Sequence, residues 1–295
     1  ARSMSALGID LGGTQIKAVL VSPGGDVLRR ELRATNDDEP RGWLAGVRAL
    51  VSELGADAAL GISAPGLVAE DGESIASMPA RLKGLEGFNW TKSLGARWPI
   101  PVINDAHAAL TAEAWIGAAR EFNNAIMLTL GTGVGGAILA GGRVLHGHSG
   151  RAGHFGHTCL DKNGAPSIAG MPGALECFIG NYNIRERTGG RFETTHALLA
   201  AFRDGDPFAR ERWLESIRAL ACAIASFINI LDPEAVILGG GIAQAGGVLF
   251  DPLREELAKV EWRPLGAGVR LLPAALGEWA GAIGAARVAL LDIMI

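Results

Sequence analysis

Two segments of the chain combine glycines, hydroxyls and charged side chains in patterns that could hold a polyphosphate. In the first, GIDLGGTQIKAVLV, Asp10 ends an apolar run and Lys17 lies in the next one. The turn residues between these runs are Gly12, Gly13, Thr14 and Gln15. Glycine has no Cβ, so a phosphate can come within hydrogen-bonding distance of the main-chain N–H groups. Asp10 could hold Mg²⁺, directly or through water, and Lys17 could add positive charge. An ordinary hairpin turn is the alternative, because Asp and Gly are common in turns.

The second segment, LGTGVGG, predicts a similar turn at Gly131, Thr132 and Gly133. It also matches the G-x-G-x-x-G pattern of dinucleotide-binding folds, but that interpretation requires a helix directly afterwards and an acid about 20 residues further on. An apolar run, AILA, follows instead, and Gly150 and Arg151 stand where the acid would be. The P-loop pattern G-x-x-x-x-G-K-[ST] does not occur in the sequence. We therefore predict a phosphate held between two hairpin turns.

A third glycine cluster, Gly239, Gly240 and Gly241, follows the apolar run AVIL. A backbone without side chains at this point could let an adenine and its ribose lie flat against it. A simple strand-to-helix turn is the alternative.

These turns need strands and helices around them, and the apolar pattern predicts both. In the first half, short apolar runs predict five strands, at Ala6–Ile9, Ile16–Val21, Val27–Leu32, Ala58–Ile62 and Pro101–Ile103. Helical spacing of apolar residues predicts one helix from Trp43 to Leu54 and an alanine-rich one from about Asp105 to Ala118. The first half is therefore predicted to be α/β.

The second half repeats the order strand, glycine turn, strand, glycine turn, strand. It begins after Asn124 with AIMLTL, continues through GTGV and GAILA, and ends with the turn Gly141–Gly142 and RVL. A long helical apolar face from Phe208 to Leu231 and a last helix from about Glu278 to Ile293 complete the pattern. The repetition predicts a domain boundary near residues 106–120.

Composition excludes several classes of protein. A length of 295 residues suggests about two domains, and 48% hydrophobic against 20% charged residues is typical of a folded globular chain. A net charge of −4 argues against unaided binding to nucleic acid or to an anionic membrane. The cysteines Cys159, Cys177 and Cys222 form no disulfide framework, which favours the reducing cytoplasm. The start of the chain has no signal-like apolar region, and no run of 18 apolar residues predicts a membrane span.

Five segments in this order resemble the ROK sugar kinases of the actin-like ATPase superfamily. They are GIDLGGTQIKAVLV, GISAPGLV, INDAHAAL, LGTGVGG and LGGGIA, and together they extend over nearly the whole chain. The resemblance implies two α/β lobes of the actin-like, ribonuclease H-like type with a cleft between them. With the repeat, it predicts a smaller lobe at residues 1–107 plus 281–295 and a larger lobe at 108–280. It further implies ATP, Mg²⁺, phosphorylation of a sugar hydroxyl and a homodimer.

Asp105 is the candidate general base for that reaction. Phosphoryl transfer needs a positioned hydroxyl, an acceptor for its proton, and donors or cations around the phosphates. Asp105 is predicted to follow a strand and open a helix, where exposed N–H groups favour a carboxylate. The alternative is that Asp105 only caps the helix. The resemblance assigns the base to Asp105, the contacts with neighbouring sugar hydroxyls to Asn104, and a backbone contact to Gly66 after Pro65.

The segment GRAGHFGHTCL supplies further candidates for sugar binding. His157 matches the family's histidine, Glu176 its second sugar-binding acid, and His154 stands where the family has a glutamate. An imidazole donates at one nitrogen and accepts at the other, whereas a carboxylate only accepts, so this replacement bears on which hydroxyls are recognised. Structural roles for both histidines, and a solvated helix-start position for Glu176, are the alternatives.

The family's structural zinc site is not expected in this chain. The resemblance places three zinc-binding cysteines at the positions held here by Ser167, Ala169 and Ala174. His157 with the two off-position cysteines, Cys159 and Cys177, supplies too few ligands for a closed tetrahedral site.

The sequence thus predicts an ATP-dependent kinase for a hexose or hexose-like sugar. A kinase-like sensor that binds sugar or nucleotide without transfer is the alternative, which the replacement at His154 and the missing cysteines keep open. The presence of Asp105 and both phosphate turns favours the enzyme, because a pure binding protein has no chemical need for a base.

Overall fold

The computed structural model describes residues 5–55, 58–78 and 81–293, so the ends of the predicted smaller lobe, residues 1–4 and 294–295, lie outside the described residues. The strands are β1 (Ala6–Leu11), β2 (Gln15–Val21), β3 (Val27–Ala34), β4 (Ala59–Ala64), β5 (Leu67–Val68), β6 (Ile75–Ser77), β7 (Val102–Asn104), β8 (Ala125–Leu130), β9 (Val134–Ala140), β10 (Arg143–Val144), β11 (Ala235–Gly239) and β12 (Arg270–Pro273). The α-helices are α1 (Trp43–Leu54), α2 (Trp90–Leu94), α3 (Asp105–Ile116), α4 (Leu175–Ile179), α5 (Ile184–Arg187), α6 (Thr195–Arg203), α7 (Pro207–Leu231), α8 (Gly247–Val260) and α9 (Ala280–Ile293). The two predicted meanders and the helices from Trp43 and Asp105 are therefore confirmed.

Two five-stranded sheets share one strand arrangement. The first has the order β3-β2-β1-β4-β7 and the second the order β10-β9-β8-β11-β12. In both, the first strand of the meander pairs antiparallel with the second and parallel with a later strand, β4 or β11. The repetition seen in the sequence is therefore a repetition of sheet topology.

The chain forms two compact units. The first contains residues up to Glu121, the short segment Val144–Ala152, and the residues from Ala275 on. The second contains Phe122–Arg143 and Gly153–Ala274. This grouping places residues 108–121 in the first unit, whereas the boundary expected from the sequence assigns them to the larger lobe.

Helix α9 brings the end of the chain onto the first sheet. It packs against β1 and β4 on one side and against α3 on the other. At Gly284 the approach is so close that an added Cβ would lie 1.9 Å from the carbonyl oxygen of Ala108 on α3. Glycine is therefore required there, and the close packing holds α3, whose first residue is Asp105.

Helix α7 is the core helix of the second unit. Its residues Trp213, Ile217, Leu220 and Ile224 are buried, and it packs against α4, α6 and α8. Among the described helices, α7 alone is long and apolar enough to cross a membrane by length and composition, a test that buried core helices also pass. The burial of its apolar face agrees with the core helix predicted from the sequence.

Glu113 on α3 is a buried acid that joins two distant segments of the first unit. Its side chain accepts hydrogen bonds from the N–H groups of Ala275 and Leu276, each at 2.9 Å, and from that of Ala118 at 2.6 Å. Glu113 is 0% exposed, so water cannot take its place as the acceptor for these N–H groups. This role was not predictable from the sequence, because the donors lie up to 163 residues away.

We expect Glu113→Gln to lower the free energy of unfolding by about 2–3 kcal/mol. The new amide nitrogen cannot accept, so at least one buried backbone N–H loses its partner. Thermal unfolding followed by circular dichroism measures the loss. Glu121→Gln, at an exposed glutamate, is the control and should leave the unfolding temperature unchanged. Equal unfolding temperatures for Glu113→Gln and the wild type would contradict this role.

Candidate functional site

Asp10 lies near the end of β1, between its neighbours on β2 and β4. It pairs with Lys17 across the antiparallel ladder and with Ser63 across the parallel one. The Ser63 hydroxyl donates to Asp10 Oδ1 at 2.8 Å. Burial, and next the negative charge of Asp105, raise the pKa of Asp10 to about 6, against the lowering effects of Ser63 and Lys17. A cation beside these two carboxylates would relieve their repulsion, so the oxygen donors fit Mg²⁺.

The turn after β1 is held by the end of β3. The N–H of Gly12 donates to the carbonyl of Gln15 at 3.0 Å, and the Thr35 hydroxyl donates to the carbonyl of Gly12 at 2.7 Å. Gly13 and Thr14 are exposed at the tip. This arrangement matches the predicted turn and presents its tip to solvent.

Lys17 has a partner that the sequence did not predict. Its Nζ lies 3.5 Å from the carboxylate of Glu278, which directly precedes α9 in the short turn Gly277–Trp279. The side chain of Lys17 is only 18% exposed. In this structure its charge is thus paired within the first unit, and a contact with phosphate stays a prediction.

At the start of α3, the residue that caps the helix and the candidate base are two different residues. Asn104, not Asp105, is the N-cap: its Oδ1 accepts from the N–H groups of Ala106 at 3.0 Å and His107 at 3.3 Å. Its Nδ2 donates to the carbonyl of Gly66 at 3.0 Å, which joins two of the predicted sugar-binding residues. Asp105 is the first helical residue, is exposed, and accepts from the N–H of Ala106 at 2.8 Å. Because Asn104 caps the helix, capping alone does not account for a carboxylate at position 105.

In the second unit, the turn at Gly131–Gly133 joins β8 to β9 as predicted. Two backbone N–H groups support it from outside: Asn181 donates to the carbonyl of Gly131 and Tyr182 to that of Thr132, both at 2.9 Å. The Gly131 N–H itself donates to the Gly133 carbonyl at 3.0 Å. The turn is therefore held by its own hydrogen bond and by the short helical turn at Asn181–Asn183.

A cavity of about 460 Å³ in the second unit connects two of the predicted glycine segments. Its lining residues are Gly131, Thr132, Asn181, Thr194, Thr195, His196, Leu199, Arg203, Gly241, Ile242, Gln244 and Ala245. The buried hydroxyl of Thr195 has no hydrogen-bond partner among the described residues, and such an atom is suited to meet a ligand. The glycines of this cavity were predicted from the sequence, but the lining residues of α6 were not. Their residue types carry no recognisable pattern for ligand binding.

The glycines after β11 have different roles. Gly240 has φ +84°, and an added Cβ would lie 2.4 Å from the carbonyl oxygen of Leu130, at the end of β8. Gly241 lines the cavity, and its Cβ position is open space. Gly240 is thus required by the backbone, whereas Gly241 leaves room inside the cavity.

We expect Gly241→Leu to keep the fold and to raise the KM for ATP by at least about tenfold, equivalent to about 1.4 kcal/mol of lost binding. The larger side chain has no backbone to meet and would occupy the cavity. Gly240→Ala is expected instead to destabilise the fold by about 1–3 kcal/mol, through both the positive φ and the clash. Kinetics against ATP concentration and thermal unfolding of both variants separate the two effects. An unchanged KM for ATP in Gly241→Leu would argue against nucleotide binding in this cavity.

His157 and Glu176 form a close pair in the second unit. His157 Nδ1 lies 3.5 Å from Glu176 Oε1, and the carboxylate raises the pKa of His157. Both atoms are buried and have no hydrogen-bond partner among the described residues. His154 stacks on His157 with ring centroids 6.0 Å apart. An added Cβ at Gly133 would come within 2.8 Å of Glu176 Oε2, so the pair lies beside the second glycine turn.

The segment where the resemblance places zinc is closed by backbone hydrogen bonds. Leu160 donates to the carbonyl of Gly173 at 2.8 Å, Gly173 to that of Ala165 at 2.9 Å, and Ser167 to that of Met171 at 2.8 Å. In the described part of the chain, no three His, Cys, Asp or Glu side chains are grouped to hold a metal. Ser167, Ala169 and Ala174 offer no thiolate, so the residues present do not fit the zinc site.

The predicted site residues thus form one group in each unit. Asp10, the turn at Gly12–Gln15, Gly66, Asn104 and Asp105 belong to the first unit, and the two later glycine segments with His154, His157 and Glu176 belong to the second. In the first unit Asn104 is hydrogen-bonded to Gly66, and in the second His157 and Gly133 both lie beside Glu176.

The chain is similar to known proteins over nearly its whole length. The ROK family model matches residues 6–291. The chain is 34% identical to the N-acetylmannosamine kinase of Escherichia fergusonii over 97% of this chain and 98% of that protein. Among solved structures, the ROK hexokinase from Thermus thermophilus is similar with a TM-score of 0.87 and 29% identity, over 99% of both chains. The ROK family glucokinase from Streptomyces griseus, in complex with glucose and AMPPNP, has a TM-score of 0.78 and 30% identity over 96% of this chain and 98% of its own. With the family model matching nearly the whole chain and the actin-like fold shared with these kinases, this protein belongs to the ROK family.

Proposed function

We propose that this protein transfers the terminal phosphoryl group of ATP to a hydroxyl of a hexose or hexose-like sugar, with Asp105 as the general base. The observation that carries the proposal is that the N-cap of α3 is Asn104 and not Asp105. Asn104 caps the helix, and the carboxylate of Asp105 is exposed in the first turn, which supports a role for Asp105 in proton transfer. In the reaction, an Asp105 oxygen takes the proton of the sugar hydroxyl as its oxygen attacks the phosphorus and ADP leaves.

Each unit contains hydrogen-bonding groups that support sugar binding, Asn104 in the first and His157 with Glu176 in the second. Asn104 donates one amide hydrogen to the carbonyl of Gly66 and can donate the other to a sugar hydroxyl. The buried atoms His157 Nδ1 and Glu176 Oε1 lie 3.5 Å apart, and neither has a hydrogen-bond partner of good geometry among the described residues. A sugar hydroxyl can donate to the carboxylate and accept from the imidazole. These residues therefore support binding of a polyhydroxyl acceptor.

The nucleotide would use the glycine segments. The cavity beside Gly131, Thr132 and Gly241 has the size for an adenosine, and its unpartnered Thr195 hydroxyl supports a polar ligand there. Within the first unit, the exposed turn at Gly13 and Thr14 supports the predicted phosphate binding by that turn. Mg²⁺ held by Asp10 would offset the charge of the phosphates.

The relatives narrow the acceptor to a class. They include a glucokinase and an N-acetylmannosamine kinase, so the class covers hexoses with and without an acetamido group. We infer a cytoplasmic homodimer from the cysteine content and the family resemblance.

A coupled assay of ADP release over glucose, mannose, N-acetylglucosamine and N-acetylmannosamine tests the proposal. We expect turnover with at least one of these sugars, and none with ATP alone. Sugar binding by calorimetry without any turnover would instead favour the non-catalytic sensor, and turnover of a non-sugar acceptor only would overturn the substrate class.

A further inference from the structure

Two imidazoles of the first unit, His107 and His146, lie in contact but have no part in the proposed chemistry. His107 is the third residue of α3 and is 1% exposed. His146 belongs to the segment Val144–Ala152, which is separated from α3 by more than twenty residues of chain. Their rings meet edge to face, with centroids 5.0 Å apart.

A directional chain of hydrogen bonds joins these residues to Ala152. His107 Nε2 lies 2.8 Å from the Ala152 carbonyl oxygen, and because a carbonyl only accepts, Nε2 must carry the proton. In a neutral ring, His107 Nδ1 is then the acceptor, and His146 Nδ1 at 3.3 Å is its donor. Partial burial lowers the pKa of His146, which favours the neutral state that this arrangement requires.

The middle residue of this hydrogen-bonded series, His107, and its last residue, Ala152, are close in sequence to candidate site residues. The backbone N–H of His107 donates to the Asn104 side chain, which also holds Gly66, and Asp105 is only two residues away. At the other end, Ala152 is two residues before His154 in the sequence. A single buried ring therefore ties the helix start that carries the base to the segment that leads into the histidines.

A cavity of about 650 Å³ in the first unit borders on both segments. Asn104 and His107 line it from the end of β7 and the start of α3, and His146, His148 and Ser149 line it from the other segment. A hydroxyl-bearing ligand that reaches Asn104 through this cavity would lie against the wall that His107 holds. Loss of that tie would change the shape of the wall.

We propose that His107 is a positioning residue for the acceptor sugar: through the carbonyl of Ala152 it holds the segment Val144–Ala152 against the start of α3. The inference rests on the proposed function. In this proposal His107 acts through its links to Asn104 and Ala152.

The test compares His107→Leu with His107→Gln. Leucine fills the space but forms no hydrogen bond, whereas the glutamine amide can donate to Ala152 and accept from His146 with nearly the same spacing of its two polar atoms. We expect His107→Leu to raise both the KM and the calorimetric Kd for the sugar at least tenfold, while the KM for ATP stays within twofold. His107→Gln should restore sugar affinity to within about threefold of the wild type.

Amide hydrogen exchange of the ligand-free protein measures the tie itself. Residues 144–152 should exchange at least tenfold faster in His107→Leu than in the wild type, and His107→Gln should restore the slower exchange. An unchanged sugar Kd in His107→Leu, an equal rise in the KM for ATP, or a glutamine variant no better than leucine would overturn the inference. Absence of turnover in a wild type that binds sugar would overturn the proposed function alone, because the affinities and exchange rates are measured without catalysis.

Discussion

Replacing Asp105 by asparagine is expected to lower kcat by about 10²-fold or more while sugar affinity and fold are kept. The asparagine side chain has the same shape and can still accept from the N–H of Ala106, as Asp105 Oδ1 does at 2.8 Å. It cannot take up the proton of the attacking hydroxyl. The loss of a first-turn negative charge should cost under about 1 kcal/mol of stability. The effect should therefore be confined to the chemical step.

Steady-state kinetics and sugar calorimetry check this expectation together. Asp251→Asn is a suitable control, because Asp251 is an exposed aspartate on α8 that pairs with Arg254. It should have wild-type kcat. Near-normal kcat in Asp105→Asn would refute the assignment of the base, and a sugar Kd raised as strongly as kcat falls would make Asp105 a binding residue instead.

Replacing Asp10 by asparagine is expected to change activity and stability in opposite directions. Turnover should fall by at least tenfold, since the amide is a poor ligand for Mg²⁺ and cannot neutralise its charge. Stability at neutral pH should rise, because the pKa of Asp10 is raised from 3.8 to about 6 by burial and by Asp105. The folded protein thus binds this proton more tightly than the unfolded chain, and ionisation of Asp10 costs folding free energy.

The sign of that shift sets the pH window. Below about pH 3 the carboxyl is protonated in both states and the cost is absent; it grows as pH rises through 3.8 and is nearly complete above about pH 6. The stability gained by Asp10→Asn over the wild type should therefore be under about 1 kcal/mol at pH 4 and reach up to about 3 kcal/mol by pH 7. Thermal unfolding in EDTA without nucleotide measures it. A gain that is constant from pH 4 to 7, or a variant less stable than wild type at pH 7, would contradict the raised pKa.

Ser63→Ala is an informative companion variant. The Ser63 hydroxyl donates to Asp10 and lowers its pKa, so its removal should extend the ionisation cost to higher pH. The same unfolding series should then show the wild type above Ser63→Ala in stability at pH 7, with a smaller difference at pH 4. Asp10→Asn removes the negative charge at position 10, whereas Ser63→Ala keeps that charge and removes a hydrogen bond that stabilises it.

The local features of the candidate site were predictable from the sequence. The turns at Gly12–Gln15 and Gly131–Gly133, the strands around them and the helix from Asp105 depend on glycine content and apolar periodicity, which act over a few residues. Which residue is the N-cap of α3 could not be predicted from the sequence, because asparagine and aspartate can both cap a helix and here follow each other. The backbone decides: Asn104 is extended and Asp105 is the first helical residue.

By itself, then, the sequence determined the repeated strand order, the glycine turns and the candidate base, because each is encoded in neighbouring residues. The tertiary structure decided which distant groups meet: Lys17 with Glu278, Glu113 with the backbone at Ala275, His107 with Ala152, and Thr195 with the glycine cavity. These contacts join segments far apart in the chain, and their energies depend on burial and on complete hydrogen bonding. No local pattern contains that information, since burial exists only after the chain has folded.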